Sequence, residues 1–242
     1  MRIGGLHKNS LIDFPGRLSA VIFTRGCNFR CAYCHNPGLV YPEKYGPLIE
    51  EDLVLSFLSN RRGLIDSVVI TGGEPLLQPD IERFLRRIKD MGYPIKLDTN
   101  GSMPERLQHL INSGLIDYVA MDYKAPLRSY NRVIQVNIDT EKITHSVTLI
   151  VSSGIEYEIR TTLYSSLSMN SVIDIIAELK QLGVECYYLQ IFRSFDKASK
   201  ILQPSGIDIQ YLKEYMLCRF WKWGLRSCEY VVNKSHIADE LV

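Results

Sequence analysis

The sequence predicts a parallel α/β fold wound into a partial, open-sided barrel. Two patterns carry that prediction. Short runs rich in β-branched, aromatic and aliphatic residues alternate with helical runs along most of the chain, and such alternation is the mark of βα units in a parallel sheet. Each polar motif of note then falls at the C-terminal end of a strand run or in the loop after it, where parallel barrels and sheets gather their active sites.

The strand candidates are 18–23, 67–70, 95–97, 118–121, 157–162 and 187–192. Between them lie helical patterns at 79–91, 104–113, 140–152 and 171–182, closed by Gly92, Gly114, Gly154 and Gly183 in the C-cap role. Pro79 and Pro104 sit at expected first turns, where a missing N–H costs nothing. Six βα units are too few for an eight-stranded barrel and suit a partial one. The tail from Ser205, with a helical run at 207–223, is expected to cover one edge of the sheet. A chain of 242 residues with 46% apolar content buries one large core, so residues 1–242 are read as one domain, with a core of about 15–195 and a C-terminal extension of about 205–242.

Lys and Arg number 28 against 27 Asp and Glu, which leaves no basic surplus for a nucleic-acid partner. No stretch approaches the roughly 20 apolar residues of a membrane span, and MRIGGLHKNS has no apolar signal core. The protein is expected in the cytoplasm, without disulfides: three of six cysteines lie inside eight residues, and in a reducing compartment such clustering points to metal or redox chemistry.

Cys27-Asn-Phe-Arg-Cys31-Ala-Tyr-Cys34 follows the first strand run, so three thiols share one loop. Thiolates are the soft ligands of iron–sulfur clusters, which normally take four; three would leave one iron open to chelate a substrate amine and carboxylate. A structural Cys3His zinc site using His35 is the competing reading. Cys186, Cys218 and Cys228 are isolated and read as structural, as free buried cysteines mostly are.

Val21-Ile-Phe-Thr-Arg-Gly-Cys27 through Cys34-His-Asn-Pro37 resembles the radical S-adenosylmethionine (SAM) activases of glycyl radical enzymes, above all the anaerobic ribonucleotide reductase activating proteins. The likeness runs from about Ser10 to Arg193. It implies a partial (β/α)6 barrel of the TIM-like radical SAM type, a 4Fe–4S cluster on Cys27, Cys31 and Cys34, and Tyr33 against the SAM adenine. Ile12-Asp-Phe-Pro-Gly16 resembles the Asp-Gly-Pro-Gly opening of these activases, with Phe14 in place of a glycine.

Three further motifs are read against that likeness. Thr71-Gly72-Gly73-Glu74-Pro75 closes the second strand run; glycines let backbone approach a ligand, and a turn with a helix cap explains the motif equally well on its own. By resemblance Gly72, Gly73 and Glu74 receive the SAM ammonium. Asp98-Thr99-Asn100-Gly101 and Met121-Asp122-Tyr123-Lys124 follow the third and fourth runs, and capping plus an Asp122–Lys124 ion pair would account for them. By resemblance Lys124 faces the SAM carboxylate, Asn100 joins the SAM contacts, and Asp98, Thr99 and Asp122 resemble a monovalent-cation site. In Glu156-Tyr-Glu-Ile-Arg160-Thr-Thr162, Arg160 shares a face with Glu156, Glu158 and Thr162. It matches a family arginine near the SAM ribose and carboxylate, or pairs with Glu158 or a rim acid. Gln190 stands where pyruvate formate-lyase activases carry a histidine near the ribose.

The resemblance implies reductive cleavage of SAM to a 5′-deoxyadenosyl radical, electrons from a flavodoxin or ferredoxin, and a glycyl radical enzyme such as anaerobic ribonucleotide reductase as partner. The rivals are radical chemistry on a small molecule, peptide or RNA, and a non-enzymatic zinc or electron-transfer module.

Overall fold

Strand and helix alternate in the computed structural model much as in the sequence; the structure describes residues 1–192 and 206–227. The strands are β1 (Ile3–Phe14), β2 (Arg17–Thr24), β3 (Ser67–Gly72), β4 (Ile95–Thr99), β5 (Tyr118–Asp122), β6 (Glu156–Leu163), β7 (Cys186–Ile191) and β8 (Lys222–Ser227). They form one curled eight-stranded sheet in chain order. β1 runs antiparallel to β2, and every later pair is parallel. Among the described residues β1 and β8 do not pair with each other, so the barrel is partial and open.

The helices are α1 (Pro37–Val40), α2 (Glu51–Asn60), α3 (Ile81–Asp90), α4 (Pro104–Asn112), α5 (Tyr130–Ile134), α6 (Glu141–Ser152), α7 (Met169–Gln181) and α8 (Ile209–Leu217). In α3 the buried residues Ile81, Phe84, Leu85 and Ile88 follow the i, i+3, i+4, i+7 spacing of a stripe facing a sheet; each is worth about 1.5–3 kcal/mol of burial. Gly92 (φ +88°) ends the turn after α3 in a conformation that a Cβ would disfavour. No described helix is long and apolar enough to cross a membrane.

Three expectations change. The twelve-residue β1 is added ahead of the six expected strands, forming a hairpin with β2 through Pro15 and Gly16. The helical run expected at 207–223 stops at Leu217, and residues from Lys222 form β8, a parallel strand beside β7. The tail therefore extends the sheet instead of only covering its edge. Cys186 is buried as expected, but Cys218 is exposed at the end of α8 and fills no core; Cys228 lies outside the described residues.

The register decides what faces the barrel interior. Val21 lies opposite Val69, Val69 opposite Lys96, Lys96 opposite Tyr118, and Tyr118 opposite Glu156. One layer higher, Asp98 is opposite Ala120 and Ala120 opposite Glu158; above that, Asp122 is opposite Arg160. Strand residues two apart share a face, so these rows stack. Phe14, Val21, Phe23, Leu39, Val69, Tyr118 and Ala120 pack as a small apolar cluster, separate from the large core between helices and sheet. The charged side chains of β4, β5, β6 and β8 line the rest of the interior.

Candidate active site

A cavity of about 610 Å³ opens at the C-terminal ends of the strands, a size typical of sites for small ligands. Its lining brings together most of the residues singled out in the sequence: Cys27, Cys31, Tyr33, Cys34, Gly72, Gly73, Asp98, Thr99, Asn100, Asp122, Lys124, Arg160 and Gln190. It also includes Ile12, Asp13 and Pro15 from the β1–β2 hairpin, Glu158, weighed in the sequence as a partner of Arg160, and Lys96 and Arg226, which the sequence reading did not single out.

The cysteine loop is fixed from several sides. Gly26 N donates to Leu39 O at 2.7 Å, Arg30 N donates to Ile134 O at 2.8 Å, and the Arg30 guanidinium donates to Cys27 O at 2.7 Å. Phe29 N donates to Cys27 Sγ at 3.4 Å. Burial raises all three thiol pKa values, that of Cys27 to about 12, so the free thiols are uncharged near neutral pH; binding iron would deprotonate them. Among the described residues no three Cys, His, Asp or Glu side chains converge on one metal position. His35 packs against Phe192 at 4.8 Å between ring centres. A 4Fe–4S cube does not require convergence, because each thiolate binds a different iron. Three soft donors on one pinned loop beside an open cavity fit such a cluster.

Gly73 N donates to Thr24 O at 3.0 Å and Glu74 N to Gly26 O at 2.8 Å, so the Gly-Gly-Glu turn is stitched to the strand that delivers Cys27. The Glu74 side chain departs from expectation. It is fully buried and absent from the cavity lining. Its Oε1 accepts from Leu76 N at 3.1 Å and Thr99 Oγ1 at 2.8 Å, and its Oε2 accepts from Asn100 N at 2.7 Å. Burial pushes its pKa up to about 7 against the opposing pull of those donors. Glu74 therefore joins two loops, and the ammonium contact expected of it is not what its carboxylate is placed to make; Gly72 and Gly73 do face the cavity.

Asn100 also serves the cysteine loop. Its Nδ2 donates to Asn28 Oδ1 at 2.9 Å and lies 3.9 Å from Cys27 Sγ, Asn28 Nδ2 donates to Ser102 Oγ at 2.8 Å, and Ser102 N donates to Asn100 Oδ1 at 3.0 Å. Tyr33 stacks face to face on Tyr164, with centroids 4.1 Å apart and planes 8° from parallel. One face of the ring expected against adenine is thus covered.

The rim charges form one network. Lys124 Nζ lies 3.2 Å from Asp122 Oδ2, the expected ion pair. Arg160 Nε lies 2.9 Å from Asp122 Oδ1 and its Nη1 3.3 Å from Asp98 Oδ2, whereas Glu158 is 3.8 Å away and pairs more closely with Arg226 at 2.8 Å. Lys96 Nζ reaches Asp98 Oδ1 at 2.5 Å. Burial alone would raise the Asp122 pKa, but Arg160 and Lys124 hold it well below the usual carboxylate range. Asp98 and Asp122 thus pair with the chain's own cations, and Thr99, the third residue expected at a monovalent-cation site, turns its hydroxyl to Glu74.

A half-barrel with three cysteines on the loop after its first parallel strand defines a radical SAM protein, and the chain belongs to that superfamily: its family model, Radical SAM superfamily, matches residues 21–179. Members carry a 4Fe–4S cluster and use SAM, and this chain is accordingly a radical SAM enzyme. A protein of Methanocaldococcus jannaschii that bears the provisional name glycyl-radical enzyme activating enzyme is 36% identical over 200 residues, covering 80% of this chain and 81% of the relative. The 7-carboxy-7-deazaguanine synthase of Methanopyrus kandleri is 34% identical over 137 residues, 49% of this chain and 54% of that one. The crystal structure of Streptococcus suis SuiB bound to precursor peptide SuiA superposes with a TM-score of 0.67 at 15% identity, over 86% of this chain and 48% of SuiB; the likeness is one of fold. The chain thus spans about half the length of the last two.

Proposed function

We propose that the protein cleaves SAM reductively and directs the resulting radical to a glycine of a partner glycyl radical enzyme, anaerobic ribonucleotide reductase being the leading type. The observation that supports cleavage here is the shared cavity, with three thiols on one wall and the Lys124 and Arg160 cations on another. Cys27, Cys31 and Cys34 would hold the cluster, which when bound would supply the electron for reductive cleavage of the SAM sulfonium to methionine and a 5′-deoxyadenosyl radical. The backbone of Gly72 and Gly73 offers carbonyl acceptors to the SAM ammonium. Lys124 and Arg160 meet its carboxylate, which they can do because each keeps its charge when buried beside Asp122. The face of Tyr33 not covered by Tyr164 takes the adenine, and Gln190 reaches toward the ribose. The apolar cluster behind the site limits water near the radical.

The partner class rests on the likeness to the M. jannaschii protein along four fifths of both chains, and a sheet whose edge strands β1 and β8 do not pair with each other among the described residues suits entry of a peptide loop. A flavodoxin or ferredoxin would deliver the electron in the cytoplasm, without nucleic acid or membrane. Anaerobic incubation with SAM, a reductant and an anaerobic ribonucleotide reductase should produce a glycyl doublet on the reductase in electron paramagnetic resonance. SAM cleavage with no doublet on any candidate reductase would overturn the activase reading and favour a small polar substrate, for which Lys96, Glu158 and Arg226 line the deeper cavity.

A further inference from the structure

Asp98 and Asp122 end neighbouring strands on the inward face of the sheet, and two carboxylates so placed invite a cation between them. The chain has already placed one there. Arg160, beside Asp122 in the register, spans both: Nε to Asp122 Oδ1 at 2.9 Å and Nη1 to Asp98 Oδ2 at 3.3 Å. The outer oxygens are taken too, by Lys96 on Asp98 at 2.5 Å and by Lys124 on Asp122 at 3.2 Å. Thr99, the third oxygen expected to ligate an ion, donates to Glu74 and accepts from Gly101 N at 3.2 Å.

We propose that the Arg160 guanidinium, flanked by Lys96 and Lys124, is the resident cation of this site, and that the protein binds no alkali-metal ion between Asp98 and Asp122. Two physical arguments carry this. An ion bridging the carboxylates would have to take the volume of a guanidinium that is only 11% exposed, leaving a permanently charged, buried group with Glu158, 3.8 Å away, as its nearest remaining carboxylate in the chain, which is unfavourable. Among the Lys, Arg, Asp and Glu side chains that line the cavity the charges also balance, Lys96, Lys124, Arg160 and Arg226 facing Asp13, Asp98, Asp122 and Glu158, so the carboxylates already have cations of the chain's own. The consequence is a SAM site whose positive charge is covalently tethered and insensitive to which salt is present. The inference does not depend on the identity of the hydrogen donor.

The test uses the reconstituted protein, with and without SAM, in sodium, potassium or choline chloride at equal ionic strength. Melting temperature and sodium NMR relaxation are read. Wild type is expected to melt at one temperature in all three salts and to broaden the sodium line no more than an Asp98→Asn/Asp122→Asn variant does. A saturable sodium- or potassium-specific rise in melting temperature, or sodium broadening that the double variant abolishes, would overturn the proposal. Arg160→Gln vacates the bridge and, where it folds, is expected to acquire the salt-specific shift that wild type lacks; a folded variant without that shift would count against Arg160 as the occupant. These readouts require neither SAM cleavage nor a partner protein, so they succeed or fail separately from the proposed activity.

Discussion

Gly73→Ala is expected to unseat the cysteine loop. A Cβ at this position would lie 2.1 Å from Gly26 O, 2.6 Å from Gly26 C and 3.2 Å from Cys27 Cβ. The first two are backbone atoms of the loop that carries the thiols, so no rotamer change relieves the contact. Overpacking of this kind costs about 1–3 kcal/mol when the surroundings can yield. Here yielding also means breaking the bond from Glu74 N to Gly26 O and moving Cys27. The expected outcome is an unfolding free energy lower by about 3 kcal/mol together with iron incorporation far below that of wild type. Gly46→Ala, where a Cβ meets nothing within 4 Å, should change neither. Normal iron content in Gly73→Ala would show that the two loops move independently.

The second large effect is expected at Glu74. Replacement by alanine strands three donors, Leu76 N, Thr99 Oγ1 and Asn100 N, in a fully buried setting. Each unsatisfied buried group costs about 1–3 kcal/mol, so the loss should reach about 4 kcal/mol, a large part of the 5–15 kcal/mol by which domains of this kind are stable. Urea denaturation of the metal-free protein would read it directly. Glu74→Gln, which keeps one acceptor oxygen, should lose less. A Glu74→Ala protein as stable as wild type but impaired in binding SAM would instead place the carboxylate on the ligand.

The contrast between Cys27 and Glu74 shows how far the sequence reaches. The cysteine cluster needs only spacing and a preceding strand to be recognised, and all three thiols face the cavity. The direction in which Glu74 turns depends on donors from Thr99 and Asn100, some twenty-five positions later, which local pattern cannot supply. The six expected strands are legible because they are apolar on both faces or strictly alternating. β1 is not, since its glycines and its His7-Lys8-Asn9 run interrupt any alternation, and Lys222-Trp-Gly-Leu-Arg-Ser227 in β8 reads no better. Lys96 carried a signal that could have been used: a lysine two before Asp98 in a strand of a buried sheet must share the inward face. What made Arg160 the partner of both Asp98 and Asp122 was the register of β5 against β6, and register is set by the whole sheet.

The measurement closest to the central claim is the release of 5′-deoxyadenosine. The protein would be reconstituted anaerobically with iron and sulfide, reduced, and given SAM, with Cys31→Ala treated identically. Release by wild type that vanishes in Cys31→Ala is the result expected of a cluster held on Cys27, Cys31 and Cys34. No release from either, with zinc in place of iron in the isolated protein, would contradict the account.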